Sequence, residues 1–373
     1  MPFYIVFMYE RGLNFTEIAI TQSVYYFLFL IFELPTGILA DKIGRKNTII
    51  LGVITKFTAL IISVFSFSLI PFIFAEILFS LARALESGTG SAFLYDSLLY
   101  VKQENNYKKI QGKAYSMHLI GNTLGGIFGA LIAYFSAISN IYILSAFMAI
   151  GAFFVAISFK EKIPQPEYAD ILSQELKTCS GHLFSSIKDV IKSRLIIWII
   201  LYSSLVFVLI RANLISLQQP FLLFLLMPKF IFGLVDIVIS LGGALFSYFA
   251  ESIEKYFGFG KTLILIPCTL FISFLGMGIF QSKFALLFLF LQMIAVGINV
   301  PIIRDFLQKQ IKDSRKRATI LSIESLIARG SFAFFALLLG FILDNYGVQN
   351  ACLLTAGLAS MGMFLLFLFR PVR

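Results

Sequence analysis

Long apolar runs separated by short polar breaks dominate the chain, and each is about as long as a helix that crosses a bilayer, roughly 20 residues. The pattern predicts spans near 16–40, 48–70, 71–99, 109–135, 140–159, 194–214, 228–250, 261–281, 284–308, 317–343 and 350–369. Runs this unbroken exclude a transmembrane β-barrel, whose strands alternate apolar and polar positions over about ten residues. The stretch 214–228 has the least regular pattern. Met1–Tyr9 is apolar but only nine residues long. As helix it would cover about 14 Å, half a bilayer core. It reads as the second half of a longer helix, and a start upstream of Met1 is expected.

Composition places the whole chain in the membrane. Of 373 residues, 59% are hydrophobic and 13% charged, and 43 are Phe; mean hydropathy is +0.90. Soluble domains carry about 25% charged residues. The net charge of +10 would suit a nucleic-acid surface, but the basic residues sit in the breaks between apolar runs. Alternate breaks hold 22 of the 30 Lys and Arg, and the intervening ones hold four, Arg11, Arg211, Lys229 and Lys283. This asymmetry predicts a multi-pass protein of the cell membrane, with loops 41–47, 100–112, 160–193, 251–260 and 309–317 and the C-terminus in the cytoplasm. No nucleic-acid partner is expected.

Metal and covalent chemistry find no residues. Cys179, Cys268 and Cys352 are too scattered for a disulfide framework or ligand spacing, and His118 and His182 are the only histidines. Gly260-Lys261-Thr262 lacks the first glycine of a phosphate-binding loop, since position 255 is Lys, and no strand precedes it. Neither a cofactor nor an enzymatic activity is expected. The segment 161–193 divides the chain into halves of 1–160 and 194–373. It contains Pro164 and Pro166, followed by apolar residues at roughly helical spacing among lysines. That pattern suits an interfacial amphipathic helix and a solvated linker about equally.

The segment Gly37-Ile-Leu-Ala-Asp41-Lys42-Ile-Gly44-Arg45-Lys46-Asn-Thr-Ile49 carries the most information. Gly37 and Gly44 suit close approach and a tight turn. Asp41 can sit on a helix N-terminus, and Arg45 can pair with a carboxylate. The segment resembles the signature loop of the major facilitator superfamily at nearly every defined position. The likeness extends to Phe32-Glu33-Leu34-Pro35-Thr36-Gly37, to Ser87-Gly88-Thr89 with Leu94-Tyr95-Asp96, and to Arg317-Ala318-Thr319. A degraded copy, Glu254-Lys255-Tyr-Phe-Gly258-Phe-Gly260-Lys261-Thr262, occupies the equivalent place in the second half, as in transporters built from repeats.

The resemblance implies an all-α integral membrane fold, two six-helix pseudo-repeat halves around a central cavity, with the first helix truncated. It implies that Asp41 meets the start of the span at 317–343 and that Arg45 meets Asp96, tying the halves together on the cytoplasmic side. The plainer reading makes these charges topology determinants only.

Charged residues within the spans are costly on lipid, about 2.5–3.5 kcal/mol each at the membrane centre, so Glu33, Arg83, Glu86, Asp236, Glu324 and Arg329 should face protein or a watery cavity. Glu76, Ser80, Arg83 and Ser87 share a helical stripe, with Glu86 at its edge and Asp96 nearly opposite. By resemblance, Arg83 takes the place of an arginine linked to proton coupling; equally, Arg83 and Glu86 could neutralise each other. Gln22, Tyr26 and Glu33 form another stripe, and Glu33 is a candidate proton carrier. His118, Asn122, Gly125 and Gly129 share a face. Gly121-x-x-x-Gly125-Gly126-x-x-Gly129 resembles the family's antiporter motif but has Leu124 where that motif has proline, and close helix packing is the favoured reading. Together these features lead to the expectation of a monomeric secondary transporter that exports lipophilic or cationic molecules in exchange for protons. The alternatives are proton-coupled uptake of a small hydrophilic metabolite, using Gln218, Gln219, Gln292 and Asn299, and a non-transporting receptor or scaffold.

Overall fold

The computed structural model describes residues 3–103, 106–161, 193–310 and 314–369. Helices make up nearly all of them, and no strand occurs among them. In chain order they are α1 (Tyr4–Glu10), α2 (Phe15–Ile43), α3 (Arg45–Phe65), α4 (Leu69–Glu86), α5 (Thr89–Tyr100), α6 (Tyr107–Phe135) and α7 (Ser139–Ser158). After the linker follow α8 (Arg194–Arg211), a π-helical segment (Ala212–Leu217), α9 (Gln218–Phe224), α10 (Lys229–Tyr248) and α11 (Ala250–Phe257). The chain ends with α12 (Phe259–Ile279), α13 (Leu286–Gln310) and α14 (Ser314–Leu368). Among the described residues nine stretches are long and apolar enough to cross a membrane. The protein is an all-α integral membrane protein.

Glycines set several of the breaks. Gly44 (φ 86°, ψ 153°), Gly258 (φ 78°, ψ 150°) and Gly347 (φ 80°, ψ 172°) adopt nearly the same backbone conformation, in a region that only glycine occupies freely. The first two occupy equivalent places in the two sequence copies. The third divides α14 into two arms, near the break expected between 343 and 350. The expected span 71–99 is not one helix: Gly88, at φ 75°, separates α4 from α5, so Asp96 belongs to a different helix from Arg83. The irregular stretch after 214 continues as π-helix and α9 to Phe224 before it turns. The proposed amphipathic helix at 161–193 lies almost wholly outside the described residues.

The chain forms two compact units, one made of 1–13 and 21–177, the other of 14–20 and 178–373. In the first, α3 packs against α4 and α7. Its core includes Phe3, Phe7 and Phe72, each about fully buried. In the second, α12 packs against α13 and α14, α8 against α14, and α10 against α13. Many large apolar side chains remain exposed, for example Phe135 at 79% and Phe334 at 74%. Such a surface is stable only against lipid.

Candidate functional site

The motif loop is built around one turn. α2 ends at Ile43, Gly44 turns the chain, and α3 begins at Arg45 with amides that lack intrahelical partners. Glu161, just past α7, supplies them: its Oε1 accepts from the Arg45 amide and its Oε2 from the Lys46 amide, each at 2.7 Å. The Arg45 guanidinium turns to α5, where Nη1 lies 2.5 Å from Asp96 Oδ2. Two carboxylates therefore hold the start of α3, one on its backbone and one on its first side chain. A Cβ at Gly44 would lie 2.9 Å from Glu161 Oε2. Gly44→Ala is therefore expected to combine about 1–2 kcal/mol of backbone strain with displacement of Glu161. A lower thermal unfolding midpoint in detergent should report it.

Asp41 and Lys42 are exposed. The partner expected for Asp41, the start of α14, falls on 311–321, whose side chains lie outside the described residues. A Cβ at Gly37 would meet nothing within 4 Å among the described residues. On the glycine face of α6, Gly126 is buried and a Cβ at Gly129 would lie 2.8 Å from the Phe3 ring, while Gly121 and Gly125 meet nothing within 4 Å among the described residues. On that face His118 and Asn122 are exposed and bonded to each other at 3.1 Å.

The intramembrane charges separate into exposed and buried groups. Arg83 is exposed, and Glu86 lies 3.7 Å from Lys56 Nζ on α3. Glu33 is exposed and accepts from Ser87 Oγ at 3.3 Å, which joins α2 to the end of α4. Gln22 is buried at 3% exposure, and Tyr26 stacks edge-on against Tyr25. In the second unit Asp236 and Arg329 are partly buried, and Glu324 accepts from the Ser203 hydroxyl of α8.

Three groups emerge that sequence reasoning did not single out as site residues. Glu161 stands at the edge of the linker, and no local pattern marks a residue that acts 116 positions away. Glu76 is the only buried charged side chain among the described residues, at 3% exposure. Its carboxylate interacts with the Tyr4 hydroxyl, which also bonds Thr21 Oγ1 at 3.0 Å, and Tyr142 lies close by. Its place on the Ser80–Arg83 stripe was the available signal. Asn213, at 0% exposure in the π-helical segment, has neither amide atom hydrogen-bonded among the described residues. π-Helical insertions of this kind often mark functional positions.

The family model described as Major Facilitator Superfamily matches residues 1–232, more than half of the chain. The chain belongs to this superfamily. Two curated relatives are similar over shorter stretches. An uncharacterized transporter of Buchnera aphidicola subsp. Acyrthosiphon pisum is 31% identical over 159 residues, 41% of this chain and 39% of that protein. Another, from Buchnera aphidicola subsp. Schizaphis graminum, is 26% identical over 185 residues, 48% of this chain and 45% of that protein. The chain thus spans less than half the length of these relatives. Among solved structures, the nucleoside transporter NupG superposes with TM-score 0.74 at 12% identity, over 100% of this chain and 93% of that one. A D-xylose-proton symporter gives TM-score 0.72 at 13% identity, over 99% and 92%. At such identities these likenesses establish the fold of the superfamily.

Proposed function

We propose that the protein is a secondary transporter working by alternating access, with the motif loop as part of its gating machinery. The observation that carries this reading is the double carboxylate hold on the start of α3. A loop needed only for topology would require positive charge but no Glu161 on its amides and no Asp96 on Arg45. The same argument weighs against a static receptor or scaffold.

For cargo and coupling, the reading is export of lipophilic or cationic molecules in exchange for protons, by a monomer in the cell membrane with the basic loops cytoplasmic. An open apolar groove in the second unit, lined by Trp198, Tyr202, Leu263, Pro267, Phe364 and Phe367, the last two 64% and 67% exposed, suits lipid tails and lipophilic cargo alike. Glu33 within α2, Glu86 at the end of α4 and the buried Glu76 are the carboxylates proposed to carry protons; Arg83, Asp236, Glu324 and Arg329 complete the set. A second reading, uptake of a small hydrophilic molecule, is favoured by one specific observation. Asn213, Gln218 and Gln292 are buried at 0–3% exposure, and each has an amide atom without a hydrogen-bond partner among the described residues; such atoms are costly unless a polar ligand can engage them.

Reconstituted vesicles under an imposed pH gradient test both. Efflux of a fluorescent lipophilic cation driven by the gradient supports the exporter. Gradient-driven accumulation of a sugar or nucleoside in place of the cation selects uptake. If Glu33→Gln, Glu76→Gln and Glu86→Gln all leave gradient-driven flux unchanged, the proton assignment is wrong.

A further inference from the structure

The turn that ends the first arm of α14 repeats the motif. Leu343-Asp344-Asn345-Tyr346-Gly347 matches the spacing of Asp41-Lys42-Ile43-Gly44, an acid three residues before a glycine. Gly44 and Gly347 share the glycine-only backbone conformation. The second copy is occupied. Asp344 Oδ1 accepts from the Phe15 amide at 2.9 Å, and Oδ2 accepts from the Thr16 amide at 2.7 Å and the Thr16 hydroxyl at 2.6 Å. These are the first two amides of α2. The next, Glu17, donates to Asn14 Oδ1 at 2.8 Å, while the Asn14 amide donates to Glu17 Oε2 at 3.0 Å. This reciprocal box is the expected N-terminal arrangement for Asn-x-x-Glu. A helix needs such partners for its first amides, and α2 supplies only part of them itself. The remainder comes from a residue 328 positions away.

Packing supports the same contact. Gly340, one helical turn before Asp344, lies against this first turn: a Cβ there would strike the Ala19 side chain and come within 2.7 Å of the Phe15 carbonyl oxygen. The turn 14–20 accordingly belongs to the second compact unit, while α2 continues from Thr21 in the first. The far end of the same helix carries Asp41 and the motif loop. One helix thus ends in two acid-x-x-glycine turns, one of its own and one received from α14.

We propose that Asp344 is a gating residue, a clasp on α2 at the end opposite the motif loop. It holds the first turn of α2 to the end of the first arm of α14 and must release for that turn to move away. This rests on the alternating-access reading above. A carboxylate on two helix amides is a charge-assisted contact that is made or absent as a unit, which suits a two-state element.

The test uses the full chain in membrane vesicles of known sidedness, with Cys179, Cys268 and Cys352 replaced by serine and Ile18→Cys as reporter, since Ile18 is buried at 1% exposure. The readout is its labelling rate with a membrane-impermeant maleimide. Asp344→Ala is expected to raise the rate about tenfold, because charge-assisted hydrogen bonds of this kind are worth at least that factor. Asp344→Asn should give a smaller increase. Gly340→Ala, which pushes α2 away while leaving the carboxylate, should also raise it and serves if Asp344→Ala does not fold. Unchanged labelling in folded Asp344→Asn and Gly340→Ala overturns the proposal. So does a loss of thermal stability without faster labelling, the signature of a cap that is only structural. Vesicle flux is measured separately. Faster labelling without any cargo flux would retain the clasp and remove the transporter reading. Flux with unchanged labelling would do the reverse.

Discussion

Replacing Arg45 with alanine is expected to reduce transport about tenfold while changing thermal stability by less than about 1 kcal/mol. The Arg45–Asp96 pair is partly exposed, with side-chain accessibilities of 24% and 46%, so water screens it and its contribution to folding is small. Under the proposed gating role its leverage would lie in conformational equilibrium: an ion pair made in one state and broken in another shifts the populations by its whole differential energy, and about 1.4 kcal/mol is a factor of ten. Asp96→Asn should match the Arg45 phenotype. Exchanging the charges, Arg45→Asp with Asp96→Arg, should recover part of the flux, because the 2.5 Å contact depends on opposite charge at that spacing. Counterflow rates in reconstituted vesicles, with unfolding midpoints measured in parallel, check this. No rescue combined with a large loss of stability would mean that the pair is a folding element.

Glu161→Ala is expected to have the opposite profile, a large loss of stability of about 2–3 kcal/mol. Its carboxylate accepts two amides of α3 at 2.7 Å each in a partly buried setting. Removing it leaves both donors without their partner at a helix N-terminus, where the dipole also favours an anion. Glu161→Gln keeps one acceptor oxygen and should lose about half as much. Thermal unfolding of the purified chain in detergent measures both variants. If Glu161→Ala unfolds within a degree of the parent, water replaces the carboxylate without penalty and the double hold on α3 reduces to Arg45–Asp96.

Much of the architecture was legible because lipid imposes a single requirement. A helix in the bilayer must satisfy its own backbone and present apolar side chains outward, so the spans can be read from runs of about 20 residues. The breaks were less legible. Nothing in hydropathy distinguishes an uninterrupted span at 71–99 from two helices hinged at Gly88, because the left-handed conformation of one residue decides it. Long-range charge partners fared unevenly. Arg45 and Asp96 could be connected through the resemblance, while Glu161 could not, since its role depends on where the end of α7 falls beside α3.

The sequence by itself determined the membrane environment, the helical fold, the duplicated motif and the residues able to serve as charge partners, because burial in lipid and glycine-only turns leave marks at fixed short spacing. Only the tertiary structure decided which carboxylates are used. Asp344 reaches α2 across more than 300 residues, and Glu76, not Glu33 or Glu86, is enclosed. Hydrogen-bond partners and burial are set by which helix faces meet, and helices that look alike to lipid are distinguished only by their packing.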